Sequence, residues 1–408
     1  MSYATAALTA ASFRSIGLTT AVVEDADDET LELAGFHSSG EECLPHKITL
    51  GDYLKVCREP GFEPAKAAFF MPHAGGPCRF GQYAPYLRQV FDRLGYEDAL
   101  IVSPTSADGY QGIGEQAGDL MHTVWMGVVL ADLAQRLLLK TRPYETNAGD
   151  ADACYHRALQ SFGEVLGRQN LKPKQRIKLL VERVIEVRDR FRAVPAKYEK
   201  GRPLIGIVGE IYCRLNTFAN EDLARRIESL GGETWLSDTP EWVWYTNWSR
   251  ETDAIRDHGK ISLAYLKRRV ISHVQHKYEH ALLAPVHDDF VGYEEPEDVR
   301  EVIEASWPYL PADGAMGEMT ISAGKAIYLH RKGADGVIDI SPFTCMNGIV
   351  CESVYPAISA DCDNMPLRVF YFDKVNANVD RDLEIFLDLA RAYRRRKNRA
   401  RRYPGYFD

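Results

Sequence analysis

Apolar and polar positions divide the chain into short apolar runs that read as strands and longer segments with helical spacing. Residues 67–71 form one such run, and a Gly- and Pro-rich loop follows at residues 74–83. Next comes a helical pattern in which Leu87, Val90, Phe91 and Leu94 share a face; Gly95 stops it, and residues 99–102 read as the next strand. This is a βαβ unit, whose crossover is expected to be right-handed. A second unit starts with a strand at 204–208 and leaves it through Gly209-Glu210-Ile211-Tyr212-Cys213-Arg214-Leu215-Asn216. Its helix has Asn220 placed as a cap and a core face of Leu223, Ile227 and Leu230; a strand at 234–236 follows. A third runs from a strand at 336–340, through Ser341-Pro342-Phe343-Thr344-Cys345-Met346-Asn347-Gly348 and a helix at about 349–358, to a strand at 367–372.

The remaining segments are mostly helical. Residues 4–16 predict a helix, 19–23 a strand, and 24–32 an acidic solvated face. Turn residues at 38–46 carry Cys43 to the start of a helix patterned by Ile48, Tyr53, Leu54 and Val56. Residues 111–198 and 241–283 read as helical. The last helix ends in a basic run at 391–402, a solvated end or a docking patch for an acidic partner.

With 408 residues the chain exceeds one ordinary core. We expect an α/β fold of two Rossmann-like (flavodoxin-like) lobes with parallel sheets. The first lobe spans 1–110, an inserted helical layer spans 111–200, and the second lobe spans 201–408 with a helical insertion at about 241–310. A net charge of -9 argues against nucleic-acid binding. The longest apolar run, 120–130, is too short to span a bilayer, so no membrane partner is expected. The N-terminus has no signal-peptide pattern, and a cytoplasmic location is the expectation. Eight dispersed cysteines then read as thiols, metal ligands or core residues in preference to disulfides.

Three strand-exit loops carry a cysteine, namely Cys78, Cys213 and Cys345, and Cys43 sits in a fourth turn. Open α/β sheets collect ligands at the carboxyl ends of their strands. Distant thiols meeting there suit zinc or an iron–sulfur cluster, and buried core cysteines would look the same. His273, His276 and His280 lie on one side of a predicted helix, and His276-Lys277-Tyr278-Glu279-His280 has the His-x-x-Glu-His form. With no third ligand to name, a polar helix face is the preferred reading over zinc.

Several segments together resemble the 2-hydroxyacyl-CoA dehydratases and the proteins related to their ATP-dependent activases. They are Ser39-Gly40-Glu41-Glu42-Cys43-Leu44-Pro45, Gly76-Pro77-Cys78-Arg79-Phe80-Gly81-Gln82-Tyr83, Gly209-Glu210-Ile211-Tyr212 with Arg214 and Asn216, and Pro342-Phe343-Thr344-Cys345-Met346. Gly317-Glu318 and Gly324-Lys325-Ala326 add to the likeness. It runs over nearly the whole chain and covers the dehydratase-like portion, without the activase domains.

The resemblance implies that Cys43, Cys78 and Cys345 hold an iron–sulfur cluster, 4Fe–4S in the first instance, in the cleft between the lobes. Cys213 stands where the family pattern has an apolar residue. Cys213, Cys351 and Cys362 lie outside the motifs and leave room for an 8Fe–9S double cubane. In the family, an ATP-dependent activase injects a low-potential electron. The cluster passes it to an acyl-CoA thioester carbonyl, and the resulting ketyl radical permits dehydration. Arg79 and Arg214 are then expected to hydrogen-bond a cluster sulfide or a substrate oxygen, or to form salt bridges within the loops. Glu210 is expected as a proton donor or base, or as an ion-pair partner of Arg214. Gln82 and Asn216 are expected near the cluster as neutral donors or as loop-stabilising side chains, and Glu318 is placed for either duty. The function implied is radical dehydration or reduction of a small substrate. The partners implied are the activase and either a second copy or a related subunit. The alternatives are a double-cubane reductase, an electron-transfer or scaffold protein, a zinc protein, and a plain α/β protein with inert thiols.

Overall fold

The computed structural model describes residues 2–73, 78–104, 117–311, 317–374 and 378–407. The chain opens with α1 (Tyr3–Arg14), α2 (Asp28–Gly35) and α3 (Leu44–Cys57), followed by β1 (Ala68–Phe70), α4 (Tyr83–Arg93) and β2 (Leu100–Val102). A helical layer follows, α5 (Ala117–Thr141), α6 (Asp150–Leu166) and α7 (Pro173–Arg192). The next stretch holds β3 (Leu204–Gly209), α8 (Ile211–Leu215), α9 (Leu223–Ser229), β4 (Glu233–Leu236), α10 (Thr239–His258), α11 (Leu263–Leu283) and α12 (Arg300–Ser306). The chain ends with α13 (Glu318–Lys332), β5 (Gly336–Pro342), α14 (Met346–Asp361), β6 (Leu367–Phe372) and α15 (Val379–Arg396). The fold is α/β with two parallel sheets, one of order β1-β2 and one of order β4-β3-β5-β6.

The four-stranded sheet is covered on both faces, and every residue of β3 and β5 is buried. On one face Ile205, Ile207, Ile338 and Ile340 pack with Leu223 and Ile227 of α9 and Leu383, Phe386 and Leu387 of α15. On the other, Leu204, Val208 and Val337 join the large core built with α13 and the helical layer. A Cβ on Gly206 would lie 2.4 Å from Leu329 Cδ1, so glycine is what lets α13 seat closely on β3. The chain moves outward from β3 to β4, returns to β5 beside β3, and moves outward again to β6. The direction of winding therefore reverses between β3 and β5, and a crevice at their carboxyl ends is the customary ligand position in such a sheet.

The small sheet is thinner than a buried strand pair. Phe69 is buried, whereas Ala68 is exposed and Leu100 is 60 % exposed. α3 ties this region to the large sheet. Leu44 and Ile48 pack in the core of the four-stranded sheet, and Leu50, Leu54 and Cys57 pack with Phe69, Leu87 and Phe91.

Three local expectations change. Residues 19–23 form no strand; Thr20 Oγ1 instead donates 2.7 Å to the Ala10 carbonyl, which folds the segment back on α1. α1 belongs to the helical layer, where it packs on α5 and α6; Gly127 and Gly163 leave room for Leu8 and Ala11. The basic run at the end of α15 is largely occupied inside the molecule. Arg391 donates to the Leu230 carbonyl, Arg394 to the carbonyls of Lys200 and Gly201, and Arg396 to those of Asp363 and Asn364. Lys397 pairs with Asp335 at 2.6 Å, and Arg401 forms a two-point ion pair with the buried Glu233 at 2.8 and 2.9 Å. No helix among the described residues is long and apolar enough to cross a membrane.

Candidate functional site

Cys43, Cys78 and Cys345 occupy the same local position on three different elements. Each is the residue just before a helix, with φ between -67° and -71° and ψ between 132° and 153°. Cys43 starts α3, Cys78 starts the single 3-10 turn Arg79–Gln82 that leads into α4, and Cys345 starts α14. In a helix N-cap the side chain lies beside unpaired amides and the positive end of the dipole, which favours an anionic ligand.

Arg79 brings the three loops together. Its Nη1 donates 2.8 Å to the carbonyl of Glu41, two residues before Cys43, and lies 3.4 Å from Oγ1 of Thr344, the residue before Cys345. The residue after one cysteine thus ties down the approaches to the other two. Thr344 has φ +65°, a turn conformation that this contact helps to hold. Cys43 Sγ lies 2.8 Å from Tyr83 Oη, and the Tyr83 ring stacks on His46 with centroids 4.6 Å apart.

All three thiols are pushed upward in pKa, chiefly by burial, and Cys345 reaches about 12. Neighbouring charge adds to this: Glu210 acts on all three, Glu318 on Cys78 and Cys345, Cys43 on Cys78, and Cys78 on Cys345. These are not poised nucleophiles, which need a lowered pKa. All eight cysteines are free thiols.

Glu210 and Glu318 sit at the β3–β5 crevice. Gly209 makes this possible: its φ is +112°, and a Cβ there would lie 2.1 Å from the Ile340 carbonyl oxygen. Glu210 then caps α8, accepting from the Tyr212 amide at 3.0 Å and the Cys213 amide at 2.8 Å. Glu318 Oε1 accepts from the Ile211 amide at 3.0 Å. Burial and then the charge of Glu210 push Glu318 up to about 8.

The expected ion pair between Glu210 and Arg214 does not form. Arg214 is buried and donates to the carbonyls of Gly209 at 3.0 Å and Asp238 at 3.3 Å. Asn216 Oδ1 accepts from the Ala219 amide at 2.8 Å, and Gln82 is an exposed residue at the start of α4. The Asn216 contact is a loop-stabilising one. Cys213 lies on α8, fully buried against the apolar core. Cys351 is buried with its thiol toward the Met319 carbonyl, and Cys362 packs at the far end of α14.

Among the described residues, no three His, Cys, Asp or Glu side chains stand close enough to hold one metal ion. The histidine helix shows why: His276 stacks on Trp244 at 3.8 Å, and Glu279 accepts from Trp244 Nε1 at 3.3 Å. The cysteine trio is likewise wider than a cage for a single zinc, whose thiolates all lie about 2.3 Å from the ion. A second charged cluster, absent from the sequence expectations, lies deeper: Lys325 is fully buried between Glu241, at 2.6 Å, and Glu295. Gly324-Lys325-Ala326 marks its position, but no sequence pattern names the two distant glutamates.

No family model, no curated protein and no solved structure matches the chain.

Proposed function

We propose that this chain is an iron–sulfur protein of the 2-hydroxyacyl-CoA dehydratase type. It accepts low-potential electrons from a separate ATP-dependent activase and reduces or dehydrates a small substrate such as an acyl-CoA. Arg79 carries the reading: through its two contacts, the three cysteine loops named by the motifs meet at one place. On this reading the two parallel sheets belong to two Rossmann-like lobes, and the cluster lies in the cleft between them.

The donor set fits the group. Three thiols, each at a helix start, suit a core of several irons and sulfides, which separates its ligands more than one ion does. Cys213 and Cys351 are buried close enough to Cys345 for its charge to act on them, so a double cubane stands as the alternative to a 4Fe–4S cluster on the three motif cysteines. Binding would deprotonate Cys43, Cys78 and Cys345 against their raised pKa, so assembly is favoured at higher pH.

When bound, such a cluster supplies one-electron reducing power. The chain's own residues supply the rest. The Tyr83 hydroxyl beside the Cys43 sulfur tunes that ligand. Arg79 uses only Nη1 among the described residues, which leaves Nε and Nη2 free to orient an oxygen or sulfide. Glu318 holds a proton near neutral pH and can release it at the crevice, whereas Glu210 is fixed by two amides and positions α8. Phe343, Met346 and Ile349, exposed around Cys345, offer an apolar rim for the activase.

Anaerobically purified protein should show broad visible absorption that Cys78→Ala abolishes and that Cys57→Ala and Cys154→Ala keep. Equal loss from all three would trace the effect to unfolding and remove the support for a cluster at Cys78.

A further inference from the structure

The hairpin of α10 and α11 ends in an exposed apolar tip. Ile261 is 92 % exposed, Leu263 81 %, Val270 63 % and Leu266 51 %. Helical spacing puts Leu263, Leu266 and Val270 on one face of α11. Ser272 marks the opposite face: it is buried and donates 2.7 Å to Glu251 of α10. The first two turns of α11 therefore present their apolar face to solvent and their polar contact to the protein, the reverse of a surface helix.

Charge accompanies this face. No acidic residue lies between Asp257 and Glu279, while Lys260, Lys267, Arg268, Arg269 and Lys277 all do. Arg269 pairs with Glu251 at 3.4 Å. Lys260, Lys267 and Arg268 have no carboxylate within ion-pair distance among the described residues. Lys267 lies at one edge of the apolar face and Arg269 flanks the other, while Arg268 falls on the half-buried side shared with Ser272.

We propose that this tip docks on an anionic phospholipid surface. Ile261, Leu263, Leu266 and Val270 would enter the acyl boundary, with Lys260 and Lys267 on the phosphates. A helix with an exposed apolar face and flanking cations lies in the interface plane of a bilayer and needs no spanning run. Pairing with a second copy fits poorly, because it would bring two Lys267 side chains together with no acidic residue on either face. The apolar residues also project from the end of a hairpin, which suits a deformable surface better than a shaped groove. The chain's net charge of -9 does not prevent this, since at physiological salt charges act over about 8 Å and the tip reaches the surface first. Nothing here rests on the cysteine loops.

The full chain should co-sediment with vesicles containing about one-third phosphatidylserine and not with pure phosphatidylcholine, and about 1 M salt should release it. The double variant Lys260→Glu, Lys267→Glu should bind about thirtyfold more weakly. Ile261→Asp with Leu263→Asp should also lose binding, with unchanged circular dichroism because both sites are exposed. Equal binding to both vesicle types, no binding to either, or unaltered binding by the variants would overturn the proposal. A dimer in light scattering that Ile261→Asp with Leu263→Asp converts to monomer, without vesicle binding, would assign the tip to self-association and overturn it as well.

Discussion

Glu318 holds its proton to about pH 8, against an ordinary value of 4.5, because burial and the charge of Glu210 disfavour its anion. The sign of the effect on stability follows. A carboxyl whose folded pKa is raised contributes stability that is complete below its unfolded pKa and is lost as pH rises through the folded value. Iron-free protein should therefore lose unfolding free energy between about pH 4.5 and 8. Glu318→Gln keeps an acceptor for the Ile211 amide and removes the titration, so its stability should vary less across that window in urea unfolding series. An unchanged slope would mean that other groups govern it. Glu210 has a different duty: its two oxygens accept from the Tyr212 and Cys213 amides and cap α8.

Among elements, the decisive arrangement is three helix starts held by one exposed arginine. Arg79→Ala should remove both loop ties. Because Arg79 is exposed, the cost to global stability should stay within about 1 kcal/mol. Iron bound per chain after reconstitution should fall severalfold, and full iron loading would show that the loops converge without it. The parallel strands and their exit loops are legible in the sequence because apolar runs and Gly/Pro punctuation report local geometry, and the cysteines of those loops follow from it. Partners are not legible. Helical spacing shows that residues 4–16 have an apolar side, but only packing shows that α1 turns it to α5 and α6. Residues 19–23 have strand composition and no strand to pair with. Arg214 and Glu210, four apart and oppositely charged, suggest an ion pair; the positive φ at Gly209 instead aims Glu210 at the amides of α8, and Arg214 turns to the Gly209 and Asp238 carbonyls. The length of an apolar run bears on a spanning helix and says nothing of an interfacial helix tip.

At the scale of the molecule, the C-terminal segment fastens the helical layer to the sheet. Arg401 reaches the fully buried Glu233 of β4, which also accepts from Tyr144 at 2.6 Å and from Tyr293. Phe407 then packs among Tyr144, Tyr198 and Tyr403. Arg401→Met leaves the Glu233 carboxylate buried without its cation, which should cost about 3–5 kcal/mol in denaturant unfolding. A loss below about 1 kcal/mol would mean that Glu233 takes up a proton or that water reaches it.

On the proposed function, three distant thiols enclose inorganic iron and sulfide where the β3–β5 crevice meets α3 and α4. Iron and acid-labile sulfide per chain, measured on protein prepared without air alongside the EPR spectrum of its reduced form, test it most directly. About four of each per chain, lost together in Cys43→Ala, Cys78→Ala or Cys345→Ala, is the expected result. Zinc without sulfide, or no metal in a folded chain reconstituted with iron and sulfide, would contradict it.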